Sequence, residues 1–163
     1  DTAKEAVKGF EDPVAQCYAF ISNHVHYVAS HPEVMHVLIH EAALLPPDRR
    51  KVIRSLKEHY FALTRDILLV LMQQGCDSAG VIPRGHEEDQ ELERATYTIF
   101  GMLNWVYGWY EPERHGLPGD VARTIHRIAL CGLIAHCPHR SLQDRTDQYL
   151  ENLTSPPLLQ VTR

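Results

Sequence analysis

Eleven histidines in a chain of 163 residues first raise the question of metal chemistry, because imidazole nitrogens are common metal ligands. His36 and His40 are four residues apart, which places both rings on one face of a helix. The run His-Cys-Pro-His at 136–139 would need at least one further zinc ligand from elsewhere. Both His-Glu pairs lack the second histidine of His-Glu-x-x-His, since Leu44 and Gln90 occupy those places. We therefore predict no metal site.

Motifs of enzyme catalysis are also absent from the sequence. There is no Gly-x-Ser-x-Gly elbow, no P-loop and no glycine-rich dinucleotide turn. The acidic run at 87–93 is typical of the solvated start of a helix, where negative charge suits the helix dipole. We predict a protein that is not an enzyme and that has no cofactor.

Composition narrows the class of protein further. Lysine and arginine number 16 against 21 aspartate and glutamate, for a net charge of −5, which is poorly suited to binding nucleic acid through this chain alone. No apolar run is long enough for a membrane span, and no signal peptide is visible. The four cysteines (Cys17, Cys76, Cys131 and Cys137) form no Cys-x-x-Cys pair, so we expect reduced thiols and a cytoplasmic protein.

Apolar residues recur at three- and four-residue steps almost throughout, which predicts an all-α bundle of about six helices. Ser30 and Glu33 predict a capping box. Gly75 predicts the C-cap of the third helix, and Asp120 predicts the N-cap of the fifth. The third helix carries a predicted core stripe of Val52, Leu56, Tyr60, Leu63, Ile67, Val70 and Leu71, and the second turns Val34, Leu38 and Ile39 inward. The predicted elements are 2–10 (the tail of a linker helix), 13–30, a helix opening at 31–33 and ending before Pro46, 48–74, 87–110, 121–136, a short segment over 141–153, and a loose tail over 154–163.

The fourth and fifth of these helices are apolar around most of their circumference. A helix of this kind is buried on most sides, or one of its sides meets another subunit. Two glycines seven residues apart also point to a close helix approach, since a glycine in a helix costs about 1 kcal/mol relative to alanine. We predict a homodimer whose interface includes Gly101, Gly108, Trp109, Ile125, Ile128 and Gly132.

The pattern Asn104-Trp105-x-x-x-Trp109-Tyr110-x-Pro112, then Gly116-Leu117-Pro118 and Gly132-Leu133, resembles the C-terminal regulatory domain of TetR-family transcriptional repressors. The earlier His31-Pro32-Glu33, Glu41 and Pro47-x-Arg49-Arg50, and the long helix before Gly75, are similar to that family as well. The resemblance extends over about residues 11–136.

The resemblance implies a ligand-binding and dimerisation domain over 1–153, with the last two long helices of each copy forming a four-helix dimer interface. It implies DNA binding only through an N-terminal helix-turn-helix domain, which this chain does not contain. Ligand binding would then move the linker helix and change the spacing of two recognition helices, which must match successive major grooves. A helical adaptor that never had a DNA-binding half is the alternative.

A ligand pocket is expected between the first, third and fourth full helices, where an apolar chamber would carry a few polar groups. Each candidate could equally be a core or surface residue, and Trp105 could instead serve dimer packing. The ligand is expected to be apolar or aromatic, an acyl-CoA being one option offered by relatives. The basic set 49–57 could meet its phosphates or an acidic partner, or simply be a solvated face. The predicted ligand-binding residues are Phe20, His24, Tyr27, Tyr60, Thr64, Asn104 and Trp105.

Overall fold

The computed structural model describes the backbone of residues 2–79 and 86–134, and the side chains of 2–74 and 89–130. This part of the chain contains helices and turns and no strand, which confirms the predicted all-α class. The helices are α1 (Thr2–Val7), α2 (Pro13–Ser30), α3 (Pro32–His36), α4 (Pro47–Ala79), α5 (His86–Asn104), α6 (Pro112–His115) and α7 (Pro118–Ile134). A π-helical turn (Val37–Glu41) and a 3-10 turn (Ala42–Leu44) join α3 to α4, and a 3-10 turn (Val106–Gly108) follows α5.

Helix α2 is the centre of the bundle. It begins at Pro13, whose fixed φ suits the first helical position, after Asp12 in an extended conformation with φ −75° and ψ 123°. Its fully buried side chains include Val14, Ile21 and Val25, at the spacing of one helical face. α2 packs against α1, α4 and α7, and α5 packs across α4 and α7. The core therefore lies around one helix that touches almost every other long element.

The first half of α4 lies outside this core. Val52 and Leu56 are 60% and 61% exposed, and Val70 is exposed as well, so the prediction that these three residues join the core stripe is wrong. No residue between His36 and His59 is buried. The helical period identifies which residues share a face, but here no other described element covers that face. The predicted C-cap at Gly75 is also wrong, since α4 continues to Ala79.

The segment before α4 departs from its prediction too. α2 continues through Ser30, because the N–H of His31 still bonds to the carbonyl of Val28 at 3.3 Å. The residue that precedes α3 is therefore His31, and the predicted capping box at Ser30 is not formed. The predicted inward residues Val34 and Ile39 are exposed, and Met35 is the residue buried instead.

The end of α5 and the start of α7 are the remaining differences. α5 ends at Asn104, where a helix to about Tyr110 was predicted, and the chain tightens into the following 3-10 turn and then α6. Gly116 has φ +74°, a left-handed conformation that glycine adopts without strain, and it reverses the chain before α7. The predicted N-cap at Asp120 is wrong, because α7 begins at Pro118 and Asp120 is its third residue. From there its carboxylate accepts a hydrogen bond of 2.9 Å from the N–H of Leu117, the residue before the helix. The predictions for 141–153 and for the tail lie outside the described residues.

Candidate functional site

An interior aromatic cluster joins α2, α4 and α5. The ring of Phe20 lies 4.9 Å from that of Tyr60 and 6.3 Å from that of Phe100, and the Tyr60 and Phe100 rings are 5.8 Å apart. Phe61 stacks on Phe100 at 6.0 Å from the other side. We use the name interior cluster for these four rings. Two of them, Phe20 and Tyr60, are predicted ligand residues, and the other two, Phe61 and Phe100, were missed.

His24 lies one turn beyond Phe20 and is buried against Tyr60. Its Nδ1 shares a hydrogen bond of 2.9 Å with the Tyr60 hydroxyl. Its Nε2 is also buried and has no hydrogen-bond partner among the described residues. Burial lowers the pKa of His24 to about 4, because the charged imidazolium loses its hydration, so the ring is neutral near pH 7. Burial likewise raises the pKa of the Tyr60 hydroxyl.

The other predicted ligand residues are placed differently. Thr64 is buried beside Tyr60, but its hydroxyl donates to the Tyr60 carbonyl at 3.0 Å within α4. Tyr27 is exposed and stacks on His31, with ring centroids 4.5 Å apart. Asn104 is half-buried at the end of α5. The structure thus brings together Phe20, His24, Tyr60 and Thr64, and leaves Tyr27 facing solvent.

A groove of about 700 Å³ opens between α5 and α7, on a face that no described element covers. Trp105 is 59% exposed and Ile128 is 53% exposed along it. Trp105, a predicted ligand residue, therefore lies in this groove and not with the interior cluster. We use the name α5–α7 groove for the surface lined by Thr98, Gly101, Met102, Trp105, Trp109, His115, Asp120, Val121, Thr124, Ile125 and Ile128.

Four of the six predicted dimer residues line the α5–α7 groove: Gly101, Trp109, Ile125 and Ile128. A Cβ built on Gly101 would meet nothing within 4 Å, so the bare backbone there is open to another molecule. Gly108 lies just outside the groove, where an added Cβ would come within 3.7 Å of the Trp105 ring. Gly132 lies in α7 beyond the residues whose side chains are described.

The buried His126 was missed from the sequence, where it interrupts an apolar stripe without any motif around it. Its Nε2 donates to the carbonyl of Val14 at 3.2 Å, and its ring meets Tyr18 edge-on at 5.3 Å. Its Nδ1 has no hydrogen-bond partner among the described residues. Burial lowers the pKa of His126 to about 4, against smaller opposing effects of the Val14 carbonyl and Asp12. His126 thus ties α7 to the first turn of α2.

The histidine pair singled out for metal chemistry is held by an aromatic partner. His36 and His40 lie with ring centroids 4.7 Å apart, and Nε2 of His40 shares a 2.6 Å hydrogen bond with the Tyr107 hydroxyl. Within the described ranges, no three histidine, cysteine, aspartate or glutamate side chains are grouped to hold a metal ion. The segment 136–139 lies outside those ranges.

Burial raises the pKa of the Cys17 thiol to about 12, which suppresses its reactivity.

Comparison with known proteins identifies the family. The family model described as the tetracyclin repressor-like C-terminal domain matches residues 11–133, and the chain belongs to that family. Domains of this kind generally form dimers and bind small-molecule effectors. No curated protein and no solved structure matches the chain. In the part of the chain searched, no helix is both long and apolar enough to cross a membrane.

Proposed function

We propose that this chain is the effector-binding and dimerisation domain of a TetR-like transcriptional repressor, controlling DNA binding through a helix-turn-helix domain outside it. The observation that carries the proposal is the α5–α7 groove, whose walls are apolar and whose two tryptophans have exposed faces that no described element covers. Family membership supports the same conclusion. In this proposal the groove is the surface on which a second copy packs.

The groove suits a symmetric partner because it carries both a projection and a recess. A two-fold interface uses the same patch on both copies, so each protruding group needs a matching cavity on that patch. Trp105 is 59% exposed in the groove, and a Cβ on Gly101, four residues before it, would meet nothing within 4 Å. We propose that Trp105 is the projection and the surface at Gly101 the recess. Trp105 of one copy would pack over Gly101 of the other, and α5 and α7 of both copies would form the four-helix interface.

The effector site is proposed at the interior cluster, between α2, α4 and α5. Aromatic rings around a few polar atoms favour an apolar or aromatic ligand. An acyl-CoA is a narrower form of this proposal, in which exposed basic side chains of α4 would meet its phosphates. Arg49, Lys51 and Arg54 would be suited to that contact, since none of them forms an ion pair within the described residues.

Sedimentation velocity of matched variants tests the dimer. Gly101→Leu would fill the recess in the groove, and Gly9→Leu is the control, because a Cβ at either position meets nothing within 4 Å in one copy. We expect Gly9→Leu to sediment as the unaltered protein does. We expect Gly101→Leu to raise the dimer dissociation constant at least about tenfold, the cost of removing a central contact.

The same experiment separates the competing functions. An unaltered protein that stays monomeric at all concentrations would contradict the repressor proposal and favour the stand-alone helical adaptor. Native mass spectrometry of the same samples would show whether a small molecule is retained. Its absence after gentle purification, together with a monomer, would leave the adaptor as the better account.

A further inference from the structure

We infer that Nε2 of His24 is the polar anchor of the effector, and that the part of the effector bound there is an uncharged aromatic group carrying a hydrogen-bond acceptor such as a carbonyl oxygen. This inference rests on the proposed function and adds the chemical class of ligand to it. It starts from a single buried atom that has no partner among the described residues.

We assign the proton of the neutral His24 ring from its hydrogen bond with Tyr60. A phenol has one hydrogen to donate, and Nδ1 at 2.9 Å is the partner that the structure gives it. With Nδ1 accepting from Tyr60, the proton of the neutral imidazole lies on Nε2. Nε2 is then an N–H donor, buried and without an acceptor in the described part of the chain.

A buried donor left without a partner is an unfavourable arrangement, and an incoming acceptor relieves it. Tyr60 lies 5.7 Å from the His24 ring, and Tyr60 in turn packs against Phe20 and Phe100. Burial is the cause of the lowered pKa of His24, so a charge at this position is unfavourable. A charged group of the ligand would lose its hydration at this buried position, so an uncharged group is favoured there.

We place the route of access to His24 along the first half of α4. Tyr60 is the first residue of α4 in the interior cluster, and no residue from His36 to His59 is buried. That stretch is tied down by long polar side chains, with Lys57 donating to the Leu38 carbonyl at 3.2 Å and Arg50 to that of Ala43 at 3.5 Å. It also contains the π-helical turn, a feature frequent at functional sites. In this inference a ligand enters past this stretch, none of whose residues is buried.

Three probes that share one ring system test the anchor: 2-ethylnaphthalene, 2-acetylnaphthalene and 2-naphthoate. The first two differ by a carbonyl oxygen, and the third adds a charge. We expect calorimetry on the full chain to give 2-acetylnaphthalene about tenfold tighter binding than 2-ethylnaphthalene, as one relieved buried donor predicts. We expect 2-naphthoate to bind more weakly than the ketone.

Matched variants assign the effect to one atom. His24→Phe keeps an aromatic ring and removes the donor, so the preference for the ketone should disappear. His26→Phe, two residues away on the exposed side of α2, should retain it. If His24→Phe fails to fold, unaltered protein labelled with 15N-histidine gives the answer, because the ketone should shift the Nε2 resonance of His24 and 2-ethylnaphthalene should not.

The outcomes separate this inference from the function on which it rests. Equal binding of the ketone and the hydrocarbon, a preference that survives His24→Phe, or an unshifted Nε2 resonance would overturn the anchor and leave the aromatic effector site standing. Tighter binding of 2-naphthoate would overturn the uncharged class. If none of the three binds, the proposed effector site itself is contradicted, and the anchor with it.

Discussion

The interior cluster and the α5–α7 groove both contain aromatic side chains, but these side chains differ in their exposure to solvent. The rings of Phe20, Tyr60 and Phe100 cover one another, whereas Trp105 presents most of its surface to solvent. The difference arises from the neighbouring helices, since α4 lies over α2 at the cluster and nothing described lies over α5 at the groove. An aromatic residue on a helix therefore indicates that something must cover it, without indicating whether that cover is another helix or another molecule.

The largest expected effect is the difference in unfolding free energy between an alanine substitution in the interior cluster and one in the α5–α7 groove. Phe20→Ala should lower the free energy of unfolding by about 3–5 kcal/mol, because it leaves a cavity among packed rings. Trp105→Ala should change the stability of the single copy by less than about 0.5 kcal/mol, as an exposed position does. Urea unfolding at low protein concentration measures both. Equal losses would mean that Trp105 is buried within one copy.

The next effect is the pH dependence of stability from the two buried histidines. Burial lowers the pKa of His24 and His126 to about 4, whereas histidine in an unfolded chain titrates near 6.5. The unfolded chain then binds more protons between these values. Stability should be full above about pH 6.5 and fall towards pH 4, by about 1.4 kcal/mol per pH unit for each histidine.

Urea unfolding between pH 4.5 and 7.5, at fixed protein concentration, measures this slope. His126→Gln and His24→Gln should each reduce it, and His26→Gln is the control, because that ring is exposed. A slope unchanged in both buried variants would contradict the assignment of the pH dependence to these rings.

A smaller effect on stability is expected for Asp120, one of the residues that line the α5–α7 groove. Asp120 accepts a hydrogen bond from the N–H of Leu117 and pairs with Arg123, which fixes the first turn of α7. Asp120→Ala should lower the free energy of unfolding by about 1 kcal/mol, as the loss of one hydrogen bond at the start of a helix does. Asp89→Ala removes an exposed pair with Arg65 at 3.3 Å and should cost no more than about 0.5 kcal/mol. Equal effects in thermal or urea unfolding would rule out this role of Asp120.

The smallest effect is that of Gly101→Ala, which should raise the stability of a single copy and lower that of the proposed dimer. Gly101→Ala should stabilise a single copy by about 0.5–1 kcal/mol, because alanine is the better helix former and its Cβ meets nothing. The same methyl group should weaken the dimer, since it occupies the recess that a second Trp105 would fill. Unfolding and sedimentation measured across a dilution series would reveal both signs, and a dimer strengthened by the alanine would contradict the proposed packing.

Sequence periodicity was sufficient for the helical class and for the face that α5 and α7 leave open, since both depend on which residues share a side of a helix. It failed for Val52 and Leu56, because periodicity identifies a face without identifying a neighbour to cover it. It failed for the end of α5 because Trp105 and Trp109 still line one groove after the helix has given way to a 3-10 turn.

Some residues of the candidate site could be predicted from the sequence, and others could not. Phe20 and His24 were predicted from their four-residue spacing beside the apolar stripe of α2, and Tyr60 from its place on the long third helix. The structure places Tyr60 in contact with both. Their assignment to a ligand stays a prediction. His126 could not be distinguished from any other histidine, because its role depends on the Val14 carbonyl, which lies far away along the chain.

The exposed stretch from His36 to His59 has a consequence for cooperativity. Its backbone hydrogen bonds are protected by little more than the local helix–coil balance, which favours short helices only weakly in water. The amides of this stretch should exchange with solvent through local opening, whereas those of α2 should exchange only when the whole domain unfolds. We therefore expect local opening to be confined to the stretch from His36 to His59, which ends next to Tyr60, the hydrogen-bond partner of His24.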